Sequence, residues 1–142
     1  LKKSLLTMVI SVWLLSACAS ESALSSSEQN ERALPKEARE FFQSMDEENG
    51  VHLYNDEKRN SKLVYLNSNN VQKGDAVTFF TAFEAKSEGE TLQLFYETDT
   101  TADYAAEAET KVYYEVEPDK EYEVIRLYNN GVETSFGTTS GN

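Results

Sequence analysis

The sequence predicts a mainly β fold, a small antiparallel β sandwich or partly open barrel with one N-terminal amphipathic helix. Three observations carry that expectation. After Gly50, apolar residues alternate with period two in several separate short stretches. Turn signals punctuate those stretches, the sharpest being Asn129-Asn130-Gly131, because Asn-Gly readily takes the positive φ angles of a type I′ hairpin. Before Gly50 the period is helical: Ala38, Phe41, Phe42 and Met45 fall at i, i+3, i+4 and i+7 and share one face.

The chain opens with Leu1-Lys2-Lys3 and then an almost unbroken apolar run over residues 5–17 that includes Met8, Val9, Ile10, Trp13 and Leu14. A bilayer-spanning helix needs about 20 apolar residues, so this run has the proportions of a signal peptide instead. It ends in Leu15-Ser16-Ala17-Cys18, which resembles the lipobox of bacterial lipoproteins: a branched apolar residue three before a cysteine, with small residues between. The resemblance covers residues 1–18. It implies a diacylglyceryl group on the Cys18 thiol, cleavage between Ala17 and Cys18, and anchoring of the mature protein by its acyl chains on the extracytoplasmic face of a membrane. Two acyl chains suffice for stable anchoring where one is marginal. Cys18 is the chain's single cysteine, which leaves it no intramolecular disulfide partner. The lack of further cysteines favours a Gram-positive host. In a Gram-negative one, Ala19 after the lipidated cysteine favours the outer membrane.

Residues 18–34 are rich in Ser, Glu, Ala and Asn and are expected to be a flexible tether with a reach of about 20 Å. Pro35 suits a first helical turn, and the helix is expected over 36–48, with Gly50 as its stop. Strands are expected at 51–54 and 62–67, then at 76–86 and 91–98 joined by Ser87-Glu88-Gly89-Glu90. The weakly periodic stretch 99–109 reads as a surface loop. Val112, Tyr114 and Val116 mark a further strand. Pro118-Asp119-Lys120 then turns the chain into Tyr122, Val124, Ile125 and Leu127, where a phase shift between Val124 and Ile125 predicts a bulge. Residues 132–136 should pair back after the Asn-Gly turn, leaving a disordered tail at 137–142. One globular β-rich domain is therefore expected over 35–136.

Composition narrows the function classes. The 142-residue chain carries 25 acidic and 13 basic side chains, a net charge of −12, and loss of Lys2 and Lys3 with the signal takes it to about −14. Nucleic acid is a poor partner for such a surface, because binding it draws on clustered Lys and Arg. The 39% hydrophobic content, with seven Phe and eight Tyr, is enough for one modest core.

Catalytic motifs are missing. His52 is the chain's one histidine, so any nucleophilic triad or zinc site would depend on it. Its place between Val51 and Leu53 predicts a partly exposed strand position without a catalytic role. Asp46-Glu47-Glu48-Asn49-Gly50 lacks the spacing of a calcium loop. No Gly-x-Ser-x-Gly elbow or Ser-x-x-Lys pair occurs, and the glycines sit at expected turns and in the tail rather than in a phosphate loop. Carboxylate pairs at glycosidase spacing carry no weight in so acidic a chain. No catalytic residue, metal or other cofactor is expected. Of the adjacent Tyr113 and Tyr114, one should face outward, where it could stack on a glycan or a protein.

These observations predict a membrane-anchored extracytoplasmic lipoprotein with a small non-catalytic binding or accessory domain. Its expected partners are the membrane, through Cys18, and a protein or envelope component. An inhibitor or immunity-type lipoprotein presenting Asn129-Asn130-Gly131 is the alternative, and a small envelope hydrolase a more distant one.

Overall fold

The computed structural model describes residues 23–104 and 107–141. The signal segment, with Ala17 and Cys18, lies outside them. The described chain is mainly β, with two mixed sheets, one short α-helix and no closed barrel. In chain order the elements are β1 (Ser25–Gln29), a 3-10 turn (Glu31–Ala33), α1 (Lys36–Gln43), β2 (Gly50–Asp56), β3 (Ser61–Asn67), β4 (Val77–Glu88), β5 (Thr91–Thr101), β6 (Lys111–Glu117), β7 (Val124–Asn129), β8 (Val132–Thr134) and β9 (Thr138–Gly141). The first sheet runs β1-β6-β3-β2-β9 and the second β4-β5-β7-β8.

Neither sheet is purely antiparallel. β9 runs parallel to β2, and β7 runs parallel to β5. A parallel pair needs a crossover between its strands. Between β5 and β7 that crossover is β6, which belongs to the other sheet, so the chain leaves one layer and returns to it in the same direction.

The first sheet is covered on both faces, which explains its composition. Val51, Leu53, Val64, Leu66, Val112 and Val116 face the second sheet and meet Phe80, Leu92, Leu94, Tyr96 and Leu127. Leu63, Tyr65 and Tyr113 face the other way and pack under Leu34, Ala38 and Phe42. A strand buried on both faces reads as an almost continuous apolar run, and Leu63, Val64, Tyr65 and Leu66 are each fully buried. α1 lies on this sheet face, with the Phe42 ring 5.5 Å from that of Tyr65. It stops at Gln43, short of the expected 48, where turns take over through Met45 N–H to Phe42 O and Glu48 N–H to Met45 O.

Several other expectations are corrected. The tether over 18–34 and the domain start at residue 35 do not hold for the described part: β1 pairs with β6 from Ser25↔Glu117 to Gln29↔Tyr113, and Leu34 is buried. A polar edge strand needs only backbone pairing, so its side chains carry no apolar signal. Within the expected disordered tail at 137–142, Thr138–Gly141 instead form β9, docked on β2 from His52↔Thr138 onward. The bulge falls at Thr81, between Phe80↔Thr98 and Ala82↔Glu97, and not at Val124 and Ile125, where pairing with β5 is continuous. Val124 simply begins β7 on the exposed face. β4 and β5 are longer than expected and meet in a two-residue turn, Glu88 pairing with Thr91. Both Tyr113 and Tyr114 are covered, the first against Tyr65 and the second stacked on Phe83 at 4.2 Å.

Candidate functional site

At one end of the sandwich the two sheets part around an open cleft of about 520 Å3. The start of β2 (Gly50, Val51) and the end of β3 (Asn67) form one wall. Inner-face residues of the second sheet form the other: Thr78 and Phe80 on β4, Tyr96 and Thr98 on β5, and Asn129 on β7. Asn70, Val71, Gln72, Asp75 and Ala76, from the connection between β3 and β4, close the rim. Phe80 and Tyr96 make the floor, their ring centroids 6.0 Å apart and each residue 9% exposed.

A run of amides holds these walls in place. Asn67 is 1% exposed, and its Nδ2 donates towards the carbonyls of Met45, Asp46 and Glu48 at 3.3, 3.1 and 3.0 Å while its Oδ1 accepts from Asn69 N–H at 3.0 Å. Asn49 and Asn70 are joined reciprocally: Asn49 Nδ2 donates to Asn70 O, and Asn70 N–H donates to Asn49 Oδ1. Ser68 Oγ donates to Thr78 O at 2.5 Å. The irregular backbone over 44–49 and 68–70 is thus satisfied by side chains in place of a ladder.

Other polar groups on the cleft are uncommitted. Among the described residues no hydrogen bond engages the Asn70 amide oxygen, the Gln72 amide, the Thr78 hydroxyl, the Tyr96 hydroxyl or the Asn129 amide nitrogen, whereas Asn129 Oδ1 accepts from Thr98 Oγ1 at 3.1 Å. Burial pushes the Tyr96 phenol above its ordinary pKa, keeping it a neutral donor and acceptor. Asp75 contributes the one carboxylate on the lining.

The sequence-derived candidates lie elsewhere. His52 is fully buried on the α1 side of the first sheet, a correction to its expected partial exposure, because residues 44–48 and Gly137 cover that face. Its Nε2 lies 3.0 Å from Glu48 O, and its Nδ1 meets no partner among the described residues. Tyr65 donates to Asp46 Oδ1 at 2.7 Å, and Lys111 pairs with the same carboxylate at 3.2 Å. The Asn129-Asn130-Gly131 turn has positive φ at Asn130 (49°) and Gly131 (82°). Its tip is tied back: Thr98 N–H donates to Asn130 Oδ1 at 2.9 Å and Asn130 N–H donates to Tyr96 O at 3.0 Å. No group of three or more His, Cys, Asp or Glu side chains among the described residues is placed to hold a metal ion. No described helix is long and apolar enough to cross a membrane.

The cleft itself was missed from sequence. Asn67-Ser68-Asn69-Asn70 was a visible polar cluster, but such a cluster reads first as a turn. No protein-family model, curated protein or solved structure matches the chain significantly.

Proposed function

We propose that the protein is a lipid-anchored extracytoplasmic binding module, held in the membrane through acyl chains on Cys18, whose site is the cleft between the sheets. The anchoring half rests on the lipobox-like Leu15-Ser16-Ala17-Cys18. The observation that carries the binding half is the set of uncommitted amides and hydroxyls, drawn from β4, β5, β7 and the β3–β4 connection, above an aromatic floor. Convergent polar groups in a concave, partly apolar site are the usual form of a small-ligand pocket. A non-catalytic role fits the lining, where Asp75 is the one carboxylate and no His, Lys or Cys stands beside it. Inhibition through the 129–131 tip gains less support, since Asn130 spends its side chain on Thr98.

Palmitate labelling tests the anchor: wild type takes up label, Cys18→Ser does not, and persistent labelling of the variant refutes the assignment. A photo-crosslinking residue at Gln72 in the anchored protein tests the site, with Gln93 on the outer face of β5 as control. Adducts with an envelope component at Gln72 support the cleft. Adducts at Gln93 alone place the binding surface elsewhere, and none at either position refutes the binding reading.

A further inference from the structure

We infer that the cleft takes an uncharged oligosaccharide segment, an assignment that rests on the binding-module reading above. In a chain with 27% charged residues, the lining contains a single ionisable carboxylate or amine, Asp75. An anionic ligand would meet the repulsive field of a protein of net charge −12 and find no Lys or Arg on the lining. The same field draws a cationic ligand towards the protein, but the lining meets it with one carboxylate, Asp75, on the exposed rim. A neutral ligand needs no charged partner on the lining.

The hydrogen-bonding pattern narrows the class further. Asn129 Nδ2 offers donors, Asn70 Oδ1 an acceptor, and the Thr78 and Tyr96 hydroxyls and the Gln72 amide offer both. Sugar hydroxyls also donate and accept, so they satisfy a mixed set spread over two walls. A peptide that binds by adding a strand presents N–H and C=O groups at fixed spacing and is taken up along an open sheet edge. The free groups here are side chains, and those on β4, β5 and β7 project from inner sheet faces. Val51, Phe80 and the Tyr96 ring give the C–H faces of a sugar an apolar floor. The volume of about 520 Å3 lies within the usual range for ligand pockets, roughly 300–1,000 Å3. The Asn49, Asn67 and Asn70 bonds hold the walls before any ligand arrives, which lowers the ordering cost of binding.

The test is calorimetric titration of the membrane-extracted protein in detergent with maltotriose and with N,N′,N″-triacetylchitotriose, repeated on Tyr96→Phe and Gln72→Ala. Neither substitution removes a protein hydrogen bond, so thermal midpoints should stay near wild type. The expected result is saturable binding of at least one trisaccharide at millimolar or lower concentration, weakened about tenfold by Tyr96→Phe. Failure of both sugars to bind overturns the carbohydrate assignment, as does binding that neither substitution weakens. If both sugars fail while Gln72 still crosslinks to an envelope component, the binding module survives without its carbohydrate ligand. If the crosslink is also absent, both readings fall.

Discussion

Gly137→Ala separates a docked C-terminal strand from a loose tail. Gly137 N–H donates to Val51 O at 2.8 Å, and a Cβ on Gly137 would stand 3.0 Å from His52 Cε1 and 3.2 Å from Nδ1. The imidazole has little room to retreat, being fully buried, held through Nε2 at Glu48 O, and 5.8 Å from the Tyr65 ring centroid. Forcing a methyl group into a packed site costs about 1–3 kcal/mol. Stiffening the unfolded chain by Gly→Ala returns about 0.4–1 kcal/mol where the backbone accepts alanine. Gly137 lies outside the positive-φ region, so both terms apply and the contact term wins. The expected net loss is about 1–2 kcal/mol, capped by the cost of lifting β9 off β2. Urea unfolding of wild type, Gly137→Ala, His52→Ala and the double variant measures it as a cycle. On the His52→Ala background the alanine should cost much less. A neutral or stabilising Gly137→Ala, or an equal cost on both backgrounds, would refute the packing of Gly137 on His52.

Three further outcomes follow from the same contacts. Gly131→Val should cost about 1 kcal/mol or more through its positive φ alone, because open space surrounds that position; an unchanged urea midpoint would remove the turn geometry. Asn67→Ala strips the donor from three carbonyls and the acceptor from Asn69 N–H, and should cost about 2 kcal/mol, with faster amide exchange over residues 44–49 and 68–70 as its local signature. Burial, followed by the charges of Glu31 and Asp46, pushes the Tyr113 phenol up to about 12, and burial with the Asp46 hydrogen bond pushes Tyr65 higher still. In the unfolded chain both ionise near 10, so above about pH 10 the unfolded state sheds protons that the folded state keeps, and stability falls by about 1.4 kcal/mol per pH unit for each phenol. For Tyr113 that loss ends near pH 12. Tyr113→Phe should remove one phenol's share of the slope, and a flat urea midpoint between about pH 10 and 12 would refute the burial of both rings.

The strands with apolar alternation were legible because side-chain burial leaves a periodic trace, as at Leu92, Leu94 and Tyr96. β1 and β9 left none. Ser25-Ser26-Ser27 and Thr138-Thr139-Ser140 are held by backbone ladders at the two edges of one sheet. Composition therefore made both segments look like linkers. His52 was misplaced for a related reason. Alternation put it opposite Val51 and Leu53, correctly, but the rule that an alternate face is wet holds only for a sheet covered on one side.

The cleft escaped the sequence reading because its parts are distant in the chain and its strongest amides are structural. Asn67 is spent on the turn below it and Asn49 on Asn70, so a motif search finds loop chemistry there. Asn129, by contrast, was visible only as the first residue of a turn. In the fold, its parallel pairing opposite Tyr96 puts it at the sandwich mouth, with its oxygen on Thr98 and its nitrogen left over. A turn residue thus becomes a wall of the cleft through the register of β5 and β7. That parallel pairing was itself unexpected, because the crossover that permits it runs through the other sheet. Substitutions at Asn129 should therefore report on ligand and fold together. Tyr96→Phe and Gln72→Ala, which break no protein hydrogen bond, are the cleaner probes of the ligand alone.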